Sequence, residues 1–220
     1  MNSSKIHVYL MPGMAASHTI FEYIELPSDL YVMHYLDWRV PGPKETFTQY
    51  AASLCMQVKE PKPVLIGVSL GGLLVQEMAR YIDVRKIIII SSVKSKLELP
   101  KRMLFARYTK IHKLLPTGLV QNVELLAKYA FGETVTKRLD LYERYLSLRD
   151  KFYIDWCIDC LVNWQQDVPP DNLVHIQGDK DAVFPIINIQ NCITVVNGTH
   201  TMIIHRYKWF NENLPTIILE

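Results

Sequence analysis

Ser69 lies in the stretch Gly67-Val68-Ser69-Leu70-Gly71-Gly72, and its surroundings bear on whether its hydroxyl can act as a nucleophile. Before it runs the apolar stretch Pro63-Val64-Leu65-Ile66, which reads as a buried strand; after it, Leu73 to Arg80 reads as a helix. Gly-x-Ser-x-Gly between a strand and a helix is the pattern of a nucleophile elbow. There the chain reverses so sharply that the serine is strained, and a side chain at a flanking glycine would collide with the neighbouring strand or helix. The following helix amides point toward developing negative charge. Of the 9 glycines in the chain, three fall at 67, 71 and 72. A tight turn around an inert serine would use the same residues, so the partners decide between the two.

A serine hydroxyl needs a histidine to take its proton and a carboxylate to orient that histidine. After an elbow these follow in the order serine, acid, histidine. Of the 7 histidines, His18, His34 and His112 precede the expected acid, and His7 and His175 sit within strands. His200, in Asn197-Gly198-Thr199-His200, falls after the last expected strand, where a loop can carry an imidazole over the strand ends. His205 lies five residues on and points to another face. For the acid, Gly178-Asp179-Lys180-Asp181-Ala182-Val183-Phe184-Pro185 offers two aspartates. Asp181 is the preferred one, with Asp179 bracing the turn through its own backbone. An acid after the fourth strand is the other conceivable place, but residues 90–96 contain no carboxylate. An oxyanion hole needs two backbone amides. Leu70, directly after the serine, supplies one, and Met14, in the loop Pro12-Gly13-Met14-Ala15-Ala16, the other. Asp37 and Trp38, at the end of the second strand, could reach the site rim, but are expected rather to support the turn there.

The elements that must hold these residues alternate. Strands are expected at 6–11, 30–36, 64–68, 86–91, 173–177 and 193–196. Helices are expected at 45–58, with Phe47, Tyr50, Ala51, Leu54 and Val58 at helical spacing, at 70–81, and at about 200–211. Short, continuous, β-branched strands separated by helices imply an α/β fold: a mostly parallel sheet with helices on both faces. Such sheets place their chemistry at the carboxyl ends of the strands. Residues 100–166 break the rhythm, with helical patterns at 101–114, 119–129, 134–148 and 151–164 and no convincing strand. Residues 1–99 and 167–220 are therefore expected to form the core and 100–166 an inserted helical cap, rich in aromatics and in Lys and Arg. Most of those aromatics should pack the cap against the body, and the basic residues should form a solvated face.

Composition excludes several classes. At 220 residues, 49% hydrophobic and 21% charged, the chain suits one packed domain. A net charge of +2 gives no pull toward nucleic acid. No segment reads as a signal peptide, and no apolar run approaches the roughly 20 residues of a membrane span. The four cysteines are too scattered for a disulfide framework, so the expected compartment is the cytoplasm. Cys157-x-x-Cys160 reads as two buried thiols on one helix face. There is no His-x-x-x-His and no acidic cluster of ligand spacing, which disfavours a metal-dependent hydrolase, and no cofactor is expected. No heptad repeat supports a coiled-coil dimer, and the oligomeric state is open.

Taken together, Pro12-Gly13-Met14, Gly67 to Gly72, Gly178 to Pro185 and Gly198-Thr199-His200 resemble the α/β-hydrolase family, in the family's order and across nearly the whole chain. The resemblance implies a Ser69/Asp181/His200 triad, an acyl-enzyme intermediate, and a cap after the strand ending near Ser92. Two departures stand out. The oxyanion loop has Pro12-Gly13 where the family often has His-Gly, and, with the first parallel strand expected from residue 6, the antiparallel hairpin that opens many members is not expected here. The implied function is hydrolysis of a small ester or thioester, with a small-molecule acyl substrate. Amide, lactone and carbon–carbon cleavage stay open. The competing reading is a non-catalytic protein that binds a small ligand beneath the cap.

Overall fold

The computed structural model describes residues 5–114 and 145–220. Six strands form one parallel sheet: β1 (Ile6–Met11), β2 (Tyr31–Tyr35), β3 (Val64–Val68), β4 (Lys86–Ile90), β5 (Leu173–Gly178) and β6 (Ile193–Val195), in the order β2-β1-β3-β4-β5-β6. The chain lays β2 on one side of β1, then returns to place β3 on the other and proceeds outward from there. The order therefore reverses between β1 and β3, the crevice where open parallel sheets hold their ligands.

The strand sequences explain why both faces are covered. In β4, Ile87 and Ile89 join one apolar cluster, whereas Ile88 and Ile90 join the other. Tyr9 and Met11 of β1 likewise face away from Val8 and Leu10. One face is covered by α1 (Phe47–Cys55), α2 (Leu70–Met78) and α4 (Lys151–Asn163). The other is covered by α5 (Met202–His205) and α6 (Tyr207–Leu219).

Several boundaries differ from the sequence expectation, each for a local reason. The first helix starts at Phe47, not 45, because Thr46 caps it: the Thr46 hydroxyl accepts from Gln49 N at 3.2 Å and Gln49 returns a carbonyl to Thr46 N at 2.9 Å. The helix expected at 101–114 ends at Thr109 (α3, Lys101–Thr109), where Lys110 turns left-handed (φ 55), and a short 3-10 turn follows. The closing helix is two pieces broken at Arg206, and it runs on through Pro215 to Leu219. Phe210, Leu214, Ile217 and Ile218 bury one continuous stripe, which outweighs the backbone hydrogen bond that Pro215 removes.

Of the helices expected in the insertion, 119–129 and most of 134–148 lie outside the described residues. The described end of the latter is not helical beyond Tyr145. Leu146 instead pairs antiparallel with Ala16, in the loop after β1. Asp150 then caps α4 by accepting from Tyr153 N at 2.8 Å. Among the described residues no helix is long and apolar enough to cross a membrane.

Candidate active site

Ser69 joins β3 to α2 with φ 53 and ψ −121, a conformation a side chain adopts only under constraint. The constraint is close packing. A Cβ on Gly67 would lie 2.3 Å from the Gly71 carbonyl oxygen, so only glycine lets the helix fold back on the strand this tightly. Ser69 N–H donates to Ile90 O at 2.9 Å, and the Ser92 hydroxyl donates to Ser69 O at 2.7 Å, fixing the peptide on both sides.

The loops after β5 and β6 meet equally closely: a Cβ on Gly178 would fall 2.2 Å from Gly198 O, and Lys180 N–H donates to Gly198 O at 2.9 Å. That contact sets Asp181 beside His200. His200 Nδ1 lies 2.9 Å from Asp181 Oδ2 and 3.2 Å from Oδ1, and His200 Nε2 lies 3.0 Å from Ser69 Oγ. An ionised carboxylate only accepts, so Nδ1 carries the proton and the bare Nε2 accepts from the Ser69 hydroxyl. The Asp181 side chain is fully buried. Burial alone would raise its pKa. The facing His200, together with amide donors Val183 N (2.8 Å) and Phe184 N (3.0 Å), outweighs this and holds it below the ordinary carboxylate value.

Leu70 N–H is the first amide of α2, without an acceptor inside the helix. Met14 occupies a turn closed by Ala16 N–H donating to Gly13 O at 3.1 Å, with Ala15 left-handed at φ 64. The turn lies directly on the serine, since a Cβ on Gly13 would be 3.3 Å from Ser69 Cβ.

Other expectations resolve differently. Asp179 does not brace its turn through its side chain: its Oδ1 is buried without a hydrogen-bond partner. Trp38 supports not its own turn but the loop after β1, donating from Nε1 to Pro12 O (3.0 Å) and Gly13 O (2.8 Å). Asp37 instead engages His18. A carboxylate does follow β4, two residues beyond Lys96: Glu98, which pairs with Lys94 at 2.8 Å rather than with His200. His205 is exposed. Cys157 is buried and Cys160 half-buried, neither in a disulfide.

Gln177 was not anticipated. Its Nε2 donates to Asp181 Oδ2 at 3.0 Å and to Phe184 O at 2.7 Å, so it holds both the carboxylate and its loop. Its Oε1 therefore accepts from His175 Nε2 at 3.2 Å. The signal was present in the sequence: two inward polar residues, His175 and Gln177, in a strand otherwise apolar at its centre. An open cavity of about 330 Å³, lined in part by Arg80, Gln166 and Asn172, lies at the other end of α2 and contains none of these residues.

The overall fold is shared with solved structures. An esterase (EaEST) from Exiguobacterium antarcticum superposes with a TM-score of 0.67 at 18% identity, covering 100% of this chain and 94% of that one. A bromoperoxidase from Bacillus anthracis gives 0.66 at 18%, covering 100% and 94%. A hydrolase from Pseudomonas aeruginosa PA01 gives 0.71 at 12%, covering 99% and 92%. The chain has the α/β-hydrolase fold. No family model and no curated protein matches its sequence. At these identities the likeness to α/β-hydrolases establishes the fold, and the reaction must be argued from the site.

Proposed function

We propose that this chain is a serine hydrolase of small carboxylic esters or thioesters, with Ser69 as nucleophile, His200 as base and Asp181 as orienting acid. The observation that carries the reading is the unbroken hydrogen-bond line from Asp181 through His200 to a strained Ser69, assembled from three separate loops at the carboxyl ends of β3, β5 and β6. A buried carboxylate aligned on an imidazole aligned on a serine is demanded by acyl transfer and by nothing in simple ligand binding.

In the reaction, Ser69 Oγ attacks the acyl carbon while its proton passes to His200 Nε2. The Leu70 and Met14 amides receive the negative charge on the carbonyl oxygen. The tetrahedral species collapses, His200 hands its proton to the departing alkoxide or thiolate, and Ser69 is left acylated. Water repeats the sequence with its own proton on His200, which returns to Ser69 as the acid leaves. Within the insertion at 100–166, α4 packs on the sheet, and the part that precedes it serves as the cap that shapes the acyl pocket. Free thiols fit the cytoplasm as the compartment.

Intact mass after incubation with a fluorophosphonate tests this on wild type, Ser69→Ala and His200→Ala. One adduct on wild type, absent from Ser69→Ala and at least about 100-fold slower on His200→Ala, is expected, together with turnover of p-nitrophenyl esters. A folded wild type that neither labels nor turns over ester would overturn the reading in favour of an idle triad in a binding protein.

A further inference from the structure

The loop after β1 is gripped from two sides, and one of the grips belongs to the insertion. From the core, Trp38 Nε1–H donates to Pro12 O and Gly13 O. From the insertion, the Tyr153 hydroxyl accepts Ala15 N–H at 3.1 Å, Leu148 N–H donates to Ala15 O at 3.2 Å, and Ser17 N–H donates to Tyr145 O at 3.0 Å. The isolated Ala16–Leu146 bridge lies within the same seam. The backbone groups on either side of Met14 are thus engaged by these contacts or by the turn's own bond, and none of these bonds uses Met14 N–H. Ala15 is held at φ 64, where alanine does not rest without support.

Tyr153 is suited to this. It is fully buried in the first turn of α4, whose cap Asp150 fixes the helix start. Its ring lies 5.8 Å from that of Trp38, so the two grips touch one another. Burial pushes its hydroxyl pKa well up, so the group stays neutral.

We infer that Tyr153 and Trp38 are positioning residues that together set the Met14 amide against Ser69, so that docking of the insertion's return segment completes the oxyanion hole. The inference rests on the hydrolase reading for its catalytic consequence, but its structural half stands apart from it.

The test uses the full chain as Tyr153→Phe, Trp38→Phe and the double variant. Amide exchange of the peptide spanning residues 13–17 should accelerate at least about 10-fold in Tyr153→Phe, while a peptide spanning Ser69 is unchanged. That readout needs no activity, so it separates failure of the clamp from failure of the hydrolase reading. On the ester turned over by wild type, kcat should fall about 10- to 100-fold with KM within about 2-fold, short of the loss on deleting an oxyanion donor outright. Affinity for a trifluoromethyl ketone, whose adduct carries the oxyanion, should fall in proportion. The double variant should lose less than the product of the single losses, because both side chains hold one loop. Unchanged exchange at residues 13–17 would overturn the inference. So would a fall in melting temperature with kcat and ketone affinity intact.

Discussion

Replacing His175 by glutamine should flatten the acid side of the stability profile. The imidazole is buried in β5 beneath the site, and loss of solvent lowers its pKa from 6.5 to about 4, with the neighbouring Glu98 pulling it back up and Lys94 pushing it further down. In the unfolded chain the same group takes up a proton near 6.5. Between pH 6.5 and 4 the unfolded state therefore binds more protons, and stability falls as pH falls through that window. Above 6.5 the contribution is fully present. Integrating the two titrations gives a loss of about 2 kcal/mol between pH 7.5 and 5 from this one residue. Glutamine is neutral throughout and can still donate to Gln177. Urea denaturation of both proteins at fixed ionic strength, from pH 7.5 to 5, reads the difference directly. Other titrating groups, Asp181 included, act equally in both proteins, so the gap between the curves isolates His175. Curves that stay parallel to within about 0.5 kcal/mol would refute the claim that this imidazole is buried neutral.

Two further substitutions probe the site's supports. Gln177→Leu removes the amide donor to both Asp181 and Phe184. It should cost about 2–5 kcal/mol in denaturation, for two buried acceptors left short, and lower ester turnover at least about 10-fold. Gly71→Ala separates local propensity from packing: alanine favours a helix by about 1 kcal/mol, yet its Cβ would sit 2.3 Å from Pro12 O and 2.6 Å from Met11 O. Packing should win, with a net destabilisation of about 1–3 kcal/mol and loss of activity, whereas a stabilised variant in thermal denaturation would show that α2 is free to shift.

The sheet was legible because its strands are short, continuous and β-branched, a pattern that leaves little choice when both faces are covered. Ser69, Asp181 and His200 were legible because glycines mark the places where the chain must pass closely, and the structure brings those three side chains within hydrogen-bond reach. What escaped is held by contacts distant in sequence. Nothing local tells that Trp38 turns its indole N–H to Pro12 and Gly13, or that Tyr153 reaches Ala15 across more than half the chain. Local chemistry also misled. Asp179 sits where an aspartate usually bonds its own turn, yet one carboxylate oxygen is buried unpartnered. The closing helix runs past the 211 expected of it and through Pro215, because the apolar stripe around that proline carries it onward.

The position of the insertion has a consequence for the ribosome. Strands β1 to β4 have all been made once Ile90 is added, and as they leave the ribosome they can pair as β2-β1-β3-β4 with β4 as an open edge. Beyond Lys86 at its start, that edge presents Ile87, Ile88, Ile89 and Ile90 in a row, with no further charge to discourage pairing with another chain. The strand that covers it begins only at Leu173. At about 5–20 residues per second, the nascent sheet waits roughly 4–17 s for that partner, so the hazard of aggregation falls on the half-made chain rather than on the finished protein.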